Sequence, residues 1–377
     1  MDNSSAHHVS PSCANRLVLI DGNAILHRAY HALPPLTTPD GTVVNAVYGF
    51  VSILIKIFND LKPTHMAVAF DRAAPTFRKK LYKEYQASRP KMEDALVGQI
   101  SIVHDVVAAF GIPNFELDGY EADDVIGTLV KRVYDERVMQ KPHDEHMMEK
   151  SRADHVSRSS AHQSPEVIIV TGDKDILQLV DDKRGVKVFM PTKGLSEGKL
   201  YGEAEVVERL GVTPSQIPEL KALMGDSSDN YPGVAGIGPK TAVDLITRYE
   251  NIDTIYRTIN SKQKAGKGGK GERGSGRVGD GEKISLGVRE KLVKGEEMAR
   301  MSKDLATIRV DVPVVMEPLE PIETLDTEEA RKILQALHFP SLLKRLTGID
   351  DGKRGRPSFV PPGGTTAGEA GEQQELF

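Results

Sequence analysis

The chain has 377 residues, enough for one large domain or two ordinary ones with a sizeable core. Its composition, 39% hydrophobic and 27% charged, is typical of a globular protein, and a net charge of −5 does not by itself indicate a nucleic-acid partner. The single cysteine, Cys13, excludes an internal disulfide and a cysteine-based zinc site, and no apolar run has the length of a membrane span or a signal core. We therefore expect a cytoplasmic protein without membrane contact.

Apolar runs typical of buried strands alternate with segments of helical period. The runs 16–21, 65–71 and 166–175 predict strands, and residues 47–61 and 99–111 predict helices. Continuous apolar strands separated by helices favour an α/β fold with a parallel sheet covered on both faces.

Four segments depart from this pattern and are predicted to be disordered or flexible. They are the polar N-terminus 1–15, a polar insertion at 138–165, a Gly/Lys-rich insertion at 261–283 and a Pro/Gly-rich tail at 348–377.

Each predicted strand is followed by aspartate: Asp21, Asp71, and the pair Asp173 and Asp175. The carboxyl ends of parallel strands share one edge of the sheet, where ligands bind, so these side chains should converge. One such aspartate is usually a turn or cap residue. Several on one edge repel each other unless a cation neutralises them.

Further carboxylates lie at two helix or turn starts. In GYEADDVIGTLV (119–130), Glu121, Asp123 and Asp124 precede an apolar helical run, and MGDSSDNYPG adds Asp226 and Asp229. Acids in a first helical turn are ordinary, because the helix N-terminus carries partial positive charge. Together with the strand-end acids, however, they form an oxygen-rich set that suits Mg²⁺ or Mn²⁺, and their number favours two metal ions.

Residues 232–246, PGVAGIGPKTAVDLI, are glycine-rich and then become helical. Their spacing is close to that of a P-loop, but Pro239 intervenes before Lys240 and removes a backbone donor, so we reject an ATPase. A tight helix-hairpin-helix turn, whose backbone amides approach a nucleic-acid phosphate, fits better. The predicted phosphate contacts are Gly233, Gly236, Gly238, Lys240 and Thr241.

The segment TFRKKLYKEYQASRPKMED (76–94) alternates basic and aromatic residues. One interpretation is a solvated amphipathic helix, and the other is a groove for single-stranded nucleic acid whose bases stack on the rings. The segment follows Asp71 and would overhang the acidic edge, which favours the groove. The predicted DNA contacts are Arg78, Lys79, Lys83, Tyr85 and Arg89.

Together these residues resemble the 5′ nuclease family, which comprises flap endonucleases and the N-terminal 5′→3′ exonuclease domain of bacterial DNA polymerase I. The resemblance covers residues 16–347. It rests on five segments in family order: LVLIDGNAILHRAYHALPPL, AVAFDRAAPTFR, GYEADDVIGTLV, VTGDKDILQLV and MGDSSDNYPGVAGIGPKTA. Five motifs in order are far more specific than any one of them.

The resemblance implies a PIN-like nuclease core at 16–211 with a helical arch at about 72–98, and a helix-hairpin-helix subdomain at 212–347. It implies a first metal cluster of Asp21, Asp71, Glu121, Asp123 and Asp124, and a second of Asp173, Asp175, Asp226 and Asp229. Arg78 and Arg89 would act with the first cluster by clamping phosphate charge. The implied cofactors are two Mg²⁺ ions, replaceable by Mn²⁺, with K⁺ at the hairpin as a further expectation.

The implied activity is 5′→3′ exonuclease and 5′ flap endonuclease cleavage of DNA in replication and repair. The implied substrates are 5′ flaps, nicked or branched duplexes and RNA primers on DNA. We expect a monomer that works beside a separately encoded DNA polymerase. The terminal QQELF (373–377) resembles a sliding-clamp-binding peptide, through Gln373, Leu376 and Phe377.

One residue departs from the family pattern. Gln86 occupies the position where the family usually has an arch lysine that helps hold the scissile phosphate. A catalytically weak branched-DNA scaffold tethered to the clamp therefore stays open as an alternative. A PIN-like ribonuclease is a second alternative, which the hairpin motif disfavours.

Overall fold

The computed structural model describes residues 15–135, 165–192, 198–265 and 284–348. Most of both predicted insertions, most of the tail and the predicted clamp peptide 373–377 lie outside the described residues. The helix Ile252–Ala265 continues into the second predicted insertion, so the first residues of that segment are helical.

A six-stranded sheet forms the centre of the described fold, in the order β3-β2-β1-β4-β5-β6. The strands are β1 (Arg16–Asp21), β2 (His65–Ala69), β3 (Asn114–Phe115), β4 (Glu166–Val170), β5 (Val186–Pro191) and β6 (Gly198–Tyr201). Strands β1 to β5 pair in parallel, and β6 is antiparallel to β5. The parallel-sheet prediction is confirmed, while the antiparallel edge strand was not predicted.

Helices connect and cover the strands. They are α1 (Gly22–Ala32), α2 (Asn45–Leu61), α3 (Phe77–Leu81), α4 (Asp94–Ala109), α5 (Ala122–Asp135), α6 (Glu203–Leu210), α7 (Ile217–Met224), α8 (Pro239–Tyr249), α9 (Ile252–Ala265), α10 (Leu286–Lys294), α11 (Glu296–Ala306), α12 (Glu328–Ala336) and α13 (Pro340–Leu346). The two predicted helices fall on α2 and α4. Within the described ranges, no helix is long and apolar enough to cross a membrane.

Two apolar cores lie on opposite faces of the sheet. Alternate side chains of a strand point to opposite faces. Leu17 and Leu19 of β1 pack in a core with α5, whereas Val18 and Ile20 pack in a core with α1, α2 and α4. Burial on both faces explains why β1, β2 and β4 are continuous apolar runs.

The C-terminal helices divide between these two faces. Helices α7 to α9 contribute side chains to the core that contains Leu17, and α11 packs on α7. Helices α12 and α13 return to the opposite face. There the Phe339 ring packs edge-on against Tyr48, with centroids 5.2 Å apart, and the Tyr48 hydroxyl lies 3.0 Å from that of Ser341. The predicted subdomain 212–347 therefore contains two helices that pack with the sheet domain.

Candidate active site

A cleft of about 860 Å³ opens at the carboxyl edge of the sheet. Its lining includes seven of the nine acids predicted as metal ligands: Asp21, Asp71, Glu121, Asp123, Asp173, Asp175 and Asp229. They come from strand ends and helix starts that are far apart in the chain. The parallel sheet brings them together, as expected from the position of its strand ends.

Backbone and hydroxyl donors position two acids of the first cluster. Asp21 caps the N-terminus of α1, where its Oδ1 accepts from the backbone N–H of Ala24 at 2.9 Å. Its Oδ2 accepts from the Thr171 hydroxyl, just beyond β4, at 2.6 Å. Asp71 lies just beyond β2, and its Oδ1 accepts from the backbone N–H of Ala122 at 2.7 Å. These bonds fix the ends of β1 and β2 relative to β4 and α5.

The acids of the first cluster repel one another. Burial, aided by the charges of Asp71 and Asp173, raises the pKa of Asp21 to about 7 despite its two hydrogen bonds. Burial and the charges of Asp173, Asp21, Asp71 and Glu121 raise the pKa of Asp123 well above its usual value. Burial also raises the pKa of Glu121 to about 7. Carboxylates held together against repulsion are the kind of donors that a divalent cation stabilises. Among the described residues, however, only Asp175, Asp226 and Asp229 bring one ligand oxygen each within 4.8 Å of one another.

The second cluster lies where the chain after β4 meets the loop after α7. One carboxylate oxygen each from Asp175, Asp226 and Asp229 lies within 4.8 Å of the others, a spacing that suits one shared ion. Lys221 of α7 donates to both Asp175 and Asp226. Burial raises the pKa of Asp175 to about 7 against the opposing effect of Lys221. At Asp226 the effect of burial is outweighed by Lys221 and by hydrogen bonds, so the pKa is lowered.

Asp124, predicted to be a metal ligand, has a different role in the structure. Its carboxylate is fully buried and forms a bidentate pair with Arg78, at N···O distances of 2.6 and 2.9 Å. The backbone N–H groups of Glu121 and Arg309 donate to the same two oxygens at 3.1 and 2.8 Å. With four donors on its two oxygens, Asp124 anchors the fold and offers no free ligand atom to a metal ion.

Arg78, predicted to clamp a phosphate, is also buried and bonded within the fold. Its side chain is 3% exposed, and its other N–H groups donate to the carbonyls of Leu305 at 2.8 Å and Thr307 at 3.1 Å. Leu305 is in α11 and Thr307 follows that helix directly. Arg78 therefore ties the start of the predicted arch to the C-terminal helices, and it also pairs with Glu121 of the cleft at 3.5 Å.

Tyr85 is also buried rather than presented to a DNA base. It is 3% exposed, and its hydroxyl lies 3.1 Å from the Glu121 carboxylate and 3.3 Å from that of Asp229. Burial and these two charges raise its pKa, so the phenol stays protonated and donates. The carbonyl of Tyr85 accepts from Lys79 at 2.8 Å, whereas Lys83 is exposed. Tyr85 thus bridges the two acidic clusters.

Two further residues of the predicted arch, Gln86 and Arg89, contact Asp229. Between Asp71 and α4, the described chain is α-helical only in α3. Gln86, with a φ of +54°, donates its backbone N–H to the Asp229 carbonyl at 2.8 Å and its side-chain amide to the carboxylate at 3.3 Å. Arg89 donates to the same carboxylate at 2.6 Å while half of its side chain stays exposed. The residue in the arch-lysine position therefore contacts a predicted metal ligand.

Two of the predicted hairpin glycines serve the fold. Gly233 has a φ of +60°, and a Cβ there would lie 2.2 Å from the backbone nitrogen of Gly225, so no other residue fits. Gly236 has a φ of +78°, and its carbonyl accepts from Lys291 at 2.9 Å. These contacts hold the hairpin against α7 and α10.

The start of α8 is open to a ligand. Gly238 is its N-cap residue, and a Cβ at this position would meet nothing within 4 Å. Lys240 is exposed in the first turn and Thr241 is half-buried. An exposed helix N-terminus with a lysine beside it is a geometry suited to phosphate.

Family models match the two halves of the chain. The 5′-3′ exonuclease N-terminal resolvase-like domain matches residues 16–149, and the 5′-3′ exonuclease C-terminal SAM fold matches residues 212–329. The chain belongs to the 5′-3′ exonuclease family.

Relatives of this chain include the DNA polymerase I of Caldicellulosiruptor bescii, which is 38% identical over 88% of this chain. The DNA polymerase I of Bacillus subtilis is 37% identical over the same share. The chain spans about a third of the length of these relatives, 33% and 32% respectively.

Solved structures show the same fold. The 5′-exonuclease of phage T5, solved with bound zinc ions, is 20% identical with a TM-score of 0.53, over 89% of this chain and 98% of that one. The catalytic core of Rad2, solved with a DNA substrate, is 16% identical with a TM-score of 0.51, over 89% of this chain and 92% of that one. These likenesses agree with the predicted PIN-like sheet and helical subdomain.

Sequence reasoning did not single out two residues of the site. Lys221 lies outside every motif described above, and Tyr231 enters only as one residue of the motif MGDSSDNYPG. Both lie against the second cluster, where Lys221 bonds Asp175 and Asp226. Only the presence of a basic residue one helical turn and a half before Asp226 signals this contact, and that spacing is too common to be read as a motif.

Without metal, the protein should lose stability as the pH rises from about 4 to about 7. Folding raises the pKa of Glu121 from 4.5, and that of Asp21 from 3.8, to about 7. Below both ordinary values the acids are protonated in both states. Between these ordinary pKa values and pH 7, the two carboxyl groups lose their protons only in the unfolded chain, and this favours unfolding. Mg²⁺ should oppose the loss, because binding drives off these protons. Urea unfolding in EDTA and in Mg²⁺ across this range measures the effect, and a stability in EDTA that rises with pH would contradict it.

Proposed function

We propose that this chain is a metal-dependent 5′→3′ exodeoxyribonuclease and 5′ flap endonuclease that hydrolyses DNA phosphodiesters with two divalent ions. The observation that carries the proposal is the gathering of seven of the predicted carboxylate ligands in one cleft, with the group Asp175, Asp226 and Asp229 at its side. Family membership supports it. So do the printed names of related structures, which include a T5 flap endonuclease in a pseudo-enzyme-product complex with DNA and metal ions.

We propose that the acids of the cleft hold the ions and that Arg89 contacts the DNA. When bound, two Mg²⁺ ions, or Mn²⁺ in their place, would supply hydroxide from bound water and stabilise charge on the phosphate and the leaving oxygen. The proposed ligands are Asp21, Asp71, Glu121 and Asp123 for the first ion and Asp173, Asp175, Asp226 and Asp229 for the second. Arg89, half exposed at the cleft, is the cation placed to pair with a phosphate.

The hairpin is the proposed grip on duplex DNA. The open N-terminus of α8 presents backbone N–H groups, the exposed Lys240 and the half-buried Thr241. Such contacts bind phosphates and read no sequence, which suits an enzyme that recognises a branch or nick. K⁺ at this hairpin belongs to the same proposal.

Lys240→Ala should weaken binding to a nicked duplex without changing the cleavage rate at saturating DNA. Loss of one phosphate contact lowers the slope of log affinity against log salt by about 0.9. Fluorescence anisotropy over a range of salt concentrations measures the slope. Lys332→Ala, which removes an exposed lysine of α12, is the matched control and should leave the slope unchanged. An unaltered slope in Lys240→Ala would rule out this phosphate contact.

The proposed substrates are 5′ flaps, nicked or branched duplexes and RNA primers on DNA, which assigns the activity to DNA replication and repair. The predicted partners are a separately encoded DNA polymerase and a sliding clamp. The clamp contact through Gln373, Leu376 and Phe377 lies outside the described residues. A monomeric state and a cytoplasmic location remain predictions.

One observation favours a second candidate, a branched-DNA scaffold with weak catalysis. Gln86 stands in the arch-lysine position, and its amide donates to Asp229 in the second cluster. The two functions separate on a panel of substrates in Mg²⁺: a 5′ flap duplex, a single-stranded DNA and a single-stranded RNA. The proposed nuclease cuts the flap fastest, the scaffold binds the flap without cutting it, and a PIN-like ribonuclease prefers the RNA.

A further inference from the structure

We propose that Lys221 is a built-in cation of the second acidic cluster, and that a divalent ion must displace its ammonium group before binding there. The inference rests on the proposed two-ion function, which it deepens. It assigns to one lysine the control of how tightly the second ion binds.

The geometry places the lysine on the oxygens that an ion would use. Lys221 lies in α7, and its Nζ donates to Asp175 Oδ1 and Asp226 Oδ2. Asp229 completes the group, and the three carboxylate oxygens lie within 4.8 Å of one another. The Lys221 side chain is only 12% exposed. Its ammonium therefore bridges two of the three candidate ligands.

A second, independent observation points to a polar guest in this cluster. Tyr231 is 3% exposed, and its hydroxyl makes no hydrogen bond to any group in the described part of the chain. Burial raises the pKa of this hydroxyl against the opposing effect of Lys221, and the charges of Asp175, Asp226 and Asp229 add to the rise. Its backbone is fixed by reciprocal hydrogen bonds with Asp226 at 2.8 and 3.0 Å. A buried hydroxyl without a partner is costly, and a water molecule on a bound ion would satisfy it.

The first cluster has no such arrangement. There the buried cation, Arg78, forms its bidentate pair with Asp124 and a longer pair of 3.5 Å with Glu121, outside the group of Asp21, Asp71 and Asp123. That group therefore keeps its oxygens for an ion. In the second cluster an ion and the ammonium compete for the same two oxygens, because two cations in contact repel each other strongly at low dielectric.

Competition of this kind lowers the apparent affinity of the second site for a divalent ion, while the carboxylate ligands stay the same. The second site binds an ion only in the fraction of molecules whose Lys221 side chain has moved off the carboxylates. The apparent dissociation constant of the ion is therefore multiplied by the inverse of that fraction. The flexible four-carbon stem of lysine allows that movement. The first ion then binds at low concentration and the second at higher concentration.

The test is a Mn²⁺ titration of the full chain without DNA, by calorimetry and by the electron paramagnetic resonance signal of free Mn²⁺. Lys221→Met removes the charge and keeps the length of the side chain. It should tighten the weaker site by about tenfold or more and leave the stronger site unchanged. Lys303→Met is the matched control, since Lys303 is a partly buried lysine paired with Glu219 and Asp253. It should bind Mn²⁺ as the wild type does.

Thermal unfolding guards against a variant that folds poorly. Without metal, Lys221→Met should melt below the wild type, because it leaves the two half-buried carboxylates of Asp175 and Asp226 without their cation. Its melting temperature should then rise more on adding Mn²⁺ than that of the wild type. Lys221→Arg, which keeps the charge, should retain the weak second site.

Equal or weaker second-ion binding in Lys221→Met, with an equal or smaller rise in melting temperature on adding Mn²⁺, overturns the inference. Failure of the wild type to cut flap DNA would instead overturn the proposed function, since the titration needs no cleavage.

Discussion

Asp123→Asn should reduce the rate of 5′ flap cleavage by about 10³-fold or more while leaving the affinity for flap DNA nearly unchanged. Asp123 lies in the first turn of α5, and burial together with the charges of Asp173 and Asp21 raises its pKa well above the usual value. An amide keeps the shape of the carboxylate but not the charge that holds a divalent ion. Binding should survive, because the hairpin proposed to bind the duplex is a separate surface. Single-turnover cleavage in Mg²⁺ and anisotropy in EDTA measure the two effects.

The melting temperature of the same variant separates lost chemistry from a lost fold. Asp123→Asn removes one of several repelling buried charges, so the metal-free variant should be at least as stable as the wild type at neutral pH. Asp105→Asn, on the exposed side of α4, is the control and should leave both rate and stability unchanged. A variant at position 123 that folds normally and keeps more than about a tenth of the wild-type rate would exclude Asp123 from the metal site.

Arg78→Met should lower the free energy of unfolding by about 3–5 kcal/mol, because it leaves the Asp124 carboxylate buried without its partner. Asp124→Asn should cost a comparable amount, since the bidentate pair and two backbone donors converge on that carboxylate. The double variant should lose less than the sum of the single losses, because the second change removes an already unpaired group. Urea unfolding measures all three.

Arg72→Met is the matched control for the arginine. Arg72 lies in the same segment, but its side chain is 45% exposed and it pairs with Glu116 and Asp118 at 3.6 and 3.2 Å. An exposed pair of this kind contributes at most about 1 kcal/mol. If Arg78→Met were as mild as Arg72→Met and instead raised the Kd for flap DNA, Arg78 would be the phosphate clamp that the sequence suggested.

The sheet was predictable because β1, β2 and β4 are buried on both faces. Such strands are continuous apolar runs, and the aspartates that follow them must meet at one edge. The strands β5 and β6 were not predicted, since β5 ends in Pro191 and β6 contains Gly198 and Lys199, residues that weaken a strand pattern. Tertiary pairing with β4, rather than local preference, makes them strands.

The roles of individual side chains were less predictable than the site. The alternation of basic and aromatic residues at 76–94 indicated a DNA-facing surface, yet Arg78 and Tyr85 point inward to Asp124, Glu121 and Asp229. A sequence pattern records residue type and spacing but not the distant partner, and these partners are tens of residues away or more. Lys221 was missed for the same reason.

The measurement that tests the central claim most directly is cleavage of a 5′-labelled flap duplex by the purified chain, in Mg²⁺ and in EDTA. The account predicts products that end near the flap junction in Mg²⁺ and none in EDTA. That result would also show that Gln86 in the arch-lysine position does not disable the enzyme. Tight binding of the flap with no cutting in Mg²⁺ or Mn²⁺ would contradict the account and leave a branched-DNA scaffold in its place.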